Sequence, residues 1–417
     1  MYRLVSAILA GAALSYVSLL PATAQDSTEW IGTWTASPQP AWQADFPIPL
    51  GFPSNYFRST IRQIARISIG GSKVRIVLSN EYGTQPLKVG AAHVAITTDG
   101  AAIKPESDRV LTFGGESSIT IPPGAPAISD PVDLTVAPLA ELSVSLYFPE
   151  SAAATTMHWD GHQTAYVAAG DKTGEADLKA DSTQTQRVFL SGIMVDAVDG
   201  ARAVVLFGDS ITDGDGSTID GNDRWPDTLA KRLQEAGGAP VAVLNQGISG
   251  AKILSDRMGV NALARFDRDV LNQARADTVV LMMGINDIGW PGTGLAPSDT
   301  QPTAEQIIAG YKQLIARAHA DGMRIVGATL TPFGDAFVGS PFQGYYTEDK
   351  EKIRLAVNDF IRSGAFDAVI DFDKAVVDPA KPGYIKAEFD KGDHLHPNPA
   401  GYNAMAGAID LGVLSAQ

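Results

Sequence analysis

Cysteine is absent from this chain, which removes disulfides, thiol nucleophiles and cysteine-ligated zinc together. Stability must therefore come from packing. Histidine is scarce, with 6 residues in 417, so a general base has few places to reside. Basic residues are outnumbered: 32 Lys and Arg face 47 Asp and Glu, and the formal net charge of −15 repels nucleic acid. Long apolar runs are missing beyond the first 24 residues. Met1–Ala24 carries Arg3 as its only charge, an apolar run from Leu4 to Leu20, and the small-residue pattern Ala22-Thr23-Ala24. That pattern predicts a secretory signal peptide, and with it a secreted or periplasmic protein that keeps no stable membrane insertion once the peptide is removed. The apolar part is short for a membrane anchor and meets a cleavage pattern.

What remains reads as two halves that meet near Asp196–Gly200. From Trp30 to Val195 the strands alternate: Val74, Ile76 and Leu78 stand against Lys73, Arg75 and Ser79, and Leu142, Val144 and Leu146 against Ser143 and Ser145. Period two gives one buried and one wet face. Turn clusters such as Gly70-Gly71-Ser72 and Pro122-Pro123-Gly124 separate the strands, so residues 25–199 are expected to form a β-sandwich, jelly-roll-like domain. From Ala203 the pattern changes. Apolar strand cores at Val204–Phe207, Val241–Leu244, Thr278–Met283, Ile325–Leu330 and Ala368–Phe372 alternate with helical stretches near Trp225–Ala236, Thr303–Ala320 and Glu348–Ser363, with a last helix from Pro399. Such alternation predicts an α/β domain over 200–417, a parallel sheet covered on both faces.

The first of those strands runs straight into Gly208-Asp209-Ser210, at the carboxyl end, where α/β sheets bind ligands. A serine hydroxyl there is a candidate nucleophile, but it needs a base, an orienting acid and oxyanion donors. Alternatively, Ser210 caps the helix that follows. His93, His158, His162 and His319 show no obvious partner, whereas His394 and His396 lie in Lys391-Gly392-Asp393-His394-Leu395-His396-Pro397. Asp393 stands three residues before His396 in a turn leading into a helix, close enough to hold its far ring nitrogen. His394 receives no role. Oxyanion donors are available from the amide of Ser210, from Gly247 in Asn245-Gln246-Gly247-Ile248-Ser249-Gly250, and from the side chain of Asn286 in Gly284-Ile285-Asn286-Asp287.

These blocks, Gly208-Asp209-Ser210, Gly247, Gly284-Ile285-Asn286-Asp287 and Asp393-His394-Leu395-His396, resemble in order the four signature blocks of the SGNH hydrolases, also called the GDSL esterase/lipase family. Ile211 departs from the fourth letter of the first block without touching the chemistry. The resemblance spans about Ala203–Leu414. It implies a flavodoxin-like three-layer α/β/α fold, Ser210 as nucleophile, His396 as base and then acid, Asp393 as orienter, and Ser210 N–H, Gly247 N–H and the Asn286 side chain as oxyanion hole. The stretch Trp30-Ile31-Gly32-Thr33-Trp34-Thr35-Ala36-Ser37 is similar to a β-domain preceding the catalytic part in some secreted bacterial members.

The expected activity is a secreted serine esterase that removes short acyl groups such as acetyl, with a small ester or an acylated carbohydrate as partner and no cofactor. A broad-range carboxylesterase or lipase, a thioesterase, and a non-catalytic carbohydrate-binding protein are the alternatives. Nothing in the pattern speaks for an oligomeric state. No metal is expected: Asp393, His394 and His396 lack a further ligand nearby, and Asp213-Gly214-Asp215-Gly216-Ser217 fails as a calcium loop because Thr218 and Arg224 stand where glycine and glutamate are needed. That acidic run is read as a solvated loop. The loops Trp290–Pro302 and Phe333–Thr347 should overhang the crevice, the aromatic residues Phe337, Phe342, Tyr345 and Tyr346 either shaping a pocket or packing on the β-domain.

Overall fold

The computed structural model describes residues 28–42 and 46–414; the expected signal peptide lies outside them. Up to Asp196 the main strands are antiparallel. One sheet orders Trp30–Thr35, Leu190–Asp196, Gly71–Ser79 and Pro126–Ile128, with Val132–Val136 also on Gly71–Ser79. The other runs from Ser182–Gln184 through Ala165–Ala169, Ser59–Arg66 and Glu141–Phe148 to Ala91–Asp99. Val74, Ile76 and Leu78 are fully buried while Lys73 and Arg75 stay partly exposed, as period two requires.

Glu141–Phe148 departs from that rule: Ser143 and Ser145 are buried on the face expected to be wet. For Ser145 the partner is Arg62, also fully buried, whose guanidinium donates to Ser145 Oγ at 2.8 Å and to the carbonyls of Ala101, Thr173 and Glu175. Thr97 and Ser143 share a further hydroxyl contact. Small hydroxyl residues serve here as partners for a buried cation, which would otherwise be costly.

The second half contains a five-stranded parallel sheet of β1 (Arg202–Gly208), β2 (Val241–Asn245), β3 (Ala276–Met282), β4 (Arg324–Ala328) and β5 (Ala368–Ile370), ordered β2-β1-β3-β4-β5. That is the flavodoxin-like order, and it reverses direction between β1 and β3. Ala203–Phe207 are completely buried, so this strand reads as a continuous apolar run. Helices at Trp225–Ala236, Ala304–Ala320, Glu348–Arg362 and Pro399–Gly407 cover the sheet. Thr303 caps the second of them in a capping box with Gln306, an arrangement worth about 1 kcal/mol. β5 stops two residues short of expectation, because the Asp371 carboxylate accepts the N–H of Lys374 and starts a helix at Phe372.

β2 is an edge strand of this sheet, and the antiparallel half covers it. Trp30–Thr35 packs along β2, Val243 donates its N–H to Ser68 Oγ at 3.1 Å, and Thr35 Oγ1 donates to the carbonyl of Asn245 at 3.0 Å. One hydrophobic cluster runs from Ile31 and Val74 through Leu244 and Ile248 to Tyr345 and Leu395. Among the described residues no helix is long and apolar enough to cross a membrane.

Candidate active site

β1 delivers Ser210 to the carboxyl edge of the sheet at the reversal point. Capping falls to its neighbour: Asp209 Oδ1 accepts the N–H of Ile211 at 3.1 Å, and the short helix Ser210–Asp213 follows. The Ser210 hydroxyl is thereby left for His396, whose Nε2 lies 2.8 Å away. On the far side of the ring, Nδ1 meets Asp393 Oδ2 at 2.7 Å. The other oxygen of Asp393 accepts the N–H groups of Leu395 and His396, which closes the three-residue turn. An ionised carboxylate only accepts, so Nδ1 carries the proton and the Nε2 lone pair faces the serine. Burial works against charge on Asp393, but the His396 ring and the two backbone donors outweigh it and hold its pKa far below the carboxylate range.

A second carboxylate stands beside the same ring: Asp215 Oδ2 is 3.4 Å from His396 Nδ1. Lys391 pairs with Asp215 and lies 3.6 Å from Asp393 Oδ2. Burial disfavours a charged imidazole, yet Asp215 and Asp393 together raise the His396 pKa above its usual value.

Asn286 comes from the helix Ile285–Gly289 that follows β3. Its Oδ1 accepts from Trp290 Nε1 and from the Tyr345 hydroxyl, both at 2.8 Å. An indole N–H can only donate, so this fixes the orientation of the amide. Nδ2 gives one hydrogen to the Ala251 carbonyl at 3.0 Å, and its second is available to the crevice. Ser210, His396, Asn286, Gly250 and Asp215 line one cavity of ≈ 340 Å³, walled by Ile48, Trp159, Trp290, Leu295, Phe337 and Phe342. The family description "GDSL-like Lipase/Acylhydrolase" matches residues 204–409, the segment that carries Ser210, Asp215, Gly250, Asn286, Asp393 and His396. Residues 204–409 are a GDSL-like lipase/acylhydrolase domain.

Solved structures similar to this chain include a lipase/acylhydrolase from Enterococcus faecalis, 23% identical, covering 50% of this chain and 92% of its own, with a TM-score of 0.38. A GDSL-like lipase from Bacteroides thetaiotaomicron VPI-5482 is 17% identical over 51% of this chain and 87% of its own, at 0.37. A carbohydrate acetylesterase from Sinorhizobium meliloti is 20% identical over 50% and 95%, also at 0.37. No curated relative matches the sequence.

Within the lipase/acylhydrolase domain one expected donor is displaced. Gly247 N–H is already given to Asn245 Oδ1 at 2.9 Å, and this glycine is outside the cavity lining. Its lack of a side chain has another cause: a Cβ there would sit 2.3 Å from the backbone nitrogen of Asp213. Gly250, three residues on, lines the cavity with φ of +75°, and neither its N–H nor that of Ser210 is given to an acceptor among the described residues.

The aromatic loop divides its work. Phe337 and Phe342 line the cavity, whereas Tyr345 is fully buried on Asn286 and Tyr346 packs on Phe333 and Tyr384. The acidic run is likewise no solvated loop. Asp213 is buried and bonded to His158 Nε2 at 2.8 Å, and Asp215 faces His396. Every histidine has a carboxylate partner, including His394 with Asp390 and His162 with Asp160. Asp160, His162 and Asp215, or Asp215, Asp393 and His396, are close enough to share a cation. The Lys391 ammonium already supplies positive charge to the carboxylate common to both sets, so we assign no metal there.

Proposed function

We propose that this chain is a serine ester hydrolase working through an acyl-enzyme on Ser210. The observation that supports it is the chain of hydrogen bonds from the Ser210 hydroxyl through His396 to Asp393, facing an apolar-lined cavity open to solvent. His396 Nε2 takes the hydroxyl proton as the serine oxygen attacks the ester carbonyl. The developing oxyanion is met by Ser210 N–H, Gly250 N–H and Asn286 Nδ2–H, donors fixed in place before the reaction. His396 then passes the proton to the departing alcohol, and water repeats the sequence on the acyl-enzyme.

For the substrate we propose a short acyl ester whose apolar or ring-bearing part rests against Trp159, Trp290, Phe337 and Phe342; an acetylated carbohydrate remains the favoured natural form. The apolar lining favours a second reading, a carboxylesterase of broader acyl range. An aryl organophosphonate should inactivate the enzyme with one phosphonyl group on the Ser210 peptide, located by mass spectrometry. Labelling elsewhere with loss of activity would remove Ser210 from the reaction. Hydrolysis of aryl esters from acetate to octanoate, set beside acetate release from acetylated polysaccharide, separates the two substrate readings.

The base acts only when neutral, and its pKa is raised, so the protonated form persists to higher pH than for a free imidazole. The acid limb of kcat/KM should therefore lie above about pH 6.5, activity falling as pH drops through it. A pH profile with its acid limb below that value would contradict the assigned electrostatics.

A further inference from the structure

Three consecutive residues of the antiparallel half, His158, Trp159 and Asp160, reach into the catalytic edge of the parallel half. His158 ends the strand Thr156–His158, which pairs with Gln39–Pro40 and Arg187–Val188. Its Nε2 meets Asp213 Oδ1 at 2.8 Å and its Nδ1 meets the Ser37 carbonyl at 3.1 Å. Both ring nitrogens therefore face oxygen, and the ring is buried. Asp213 is the last residue of the helix that Ser210 begins, and its second oxygen accepts the N–H of Ser249 at 2.9 Å. Asp160 Oδ2 accepts the hydroxyl of the same Ser249 at 2.6 Å. Ser249 is buried and immediately precedes Gly250. Trp159 between them forms a wall of the cavity, and its N–H is held by Gln39, which also reaches the carbonyl of Met258.

We propose that His158 and Asp160 are positioning residues for the reaction: together they hold the loop that presents the Gly250 N–H at a fixed distance from Ser210. This rests on the esterase reading above. The loop is gripped at Ser249 from both sides, through its backbone by way of Asp213 and through its hydroxyl by Asp160. Burial alone would resist charge on Asp160, but His162 at 2.7 Å and the Ser249 hydroxyl hold it ionised. Arg224 Nη2 anchors the far end of the segment at the Gly161 carbonyl, 2.6 Å away. An oxyanion donor acts over a few tenths of an ångström, and a loop released from both grips loses that accuracy.

The test compares steady-state kinetics of the full chain and its variants on an aryl acetate. His158→Ala, Ser249→Ala and Asp160→Ala should each lower kcat by about tenfold to a hundredfold with KM within about twofold. Asp160→Asn, which retains an acceptor oxygen for Ser249, should recover most of the loss. His93→Ala breaks another His–Asp pair of the same half, remote from the cavity, and should leave kcat within about twofold. Should His158→Ala fail to fold, Ser249→Ala alone carries the test. Unchanged kcat in Ser249→Ala, or a loss confined to KM, overturns the proposal. A wild-type chain that neither hydrolyses the ester nor takes phosphonate at Ser210 would instead sink the esterase reading, so the two failures are separable.

Discussion

His396→Ala is expected to lower kcat/KM on an aryl acetate by about 10⁵-fold or more, while His394→Ala leaves it within a few-fold. The two rings are two residues apart, and their surroundings divide them. His396 joins Ser210 to Asp393, and without it the hydroxyl loses its proton acceptor at 2.8 Å. His394 faces Asp390 at 2.5 Å and is half-exposed, with no contact to the serine. Residual turnover in His396→Ala would come from the oxyanion donors and binding alone. Steady-state kinetics of both variants decide it, and a larger loss in His394→Ala would reverse the assignment of the base.

The second large effect should fall on Asn286. Asn286→Ala removes one donor that acts on charge appearing in the transition state, so kcat should drop about 10²–10³-fold with KM little changed. Tyr345→Phe keeps the donor but removes one of the two hydroxyl and indole contacts that orient it. A smaller loss, about tenfold, is expected there, again in kcat. Equal KM effects in both variants would show that the amide binds ground-state substrate instead.

Much of this site is legible in the sequence because its parts sit at the ends of strongly apolar strands. Val204–Phe207 leads to Ser210, and the three-residue interval from Asp393 to His396 is local enough to read directly. Gly247 and Gly250 show where such reading stops. They lie three residues apart in one loop, and which N–H is available depends on the Asn245 side chain, a contact that spacing does not reveal. His158 and Asp160 were silent for a different reason. Their partners are Asp213 and Ser249, 55 and 89 residues away in the other half, so only the tertiary fold brings them together. The same holds for Ser145 and Ser143, whose hydroxyls meet Arg62 and Thr97 on other strands.

The covering of β2 by Trp30–Thr35 bears on how the chain can be handled. A trimmed fragment beginning at β1 would bare the open rim of the parallel sheet, with the Val243 N–H unmatched and Leu244 stripped of the strand packed on it. An uncovered rim of that kind templates intermolecular strand pairing. Excising the acylhydrolase portion for expression thus invites self-association and insoluble product, and the leading strands act as an internal solubility guard for the enzyme they precede.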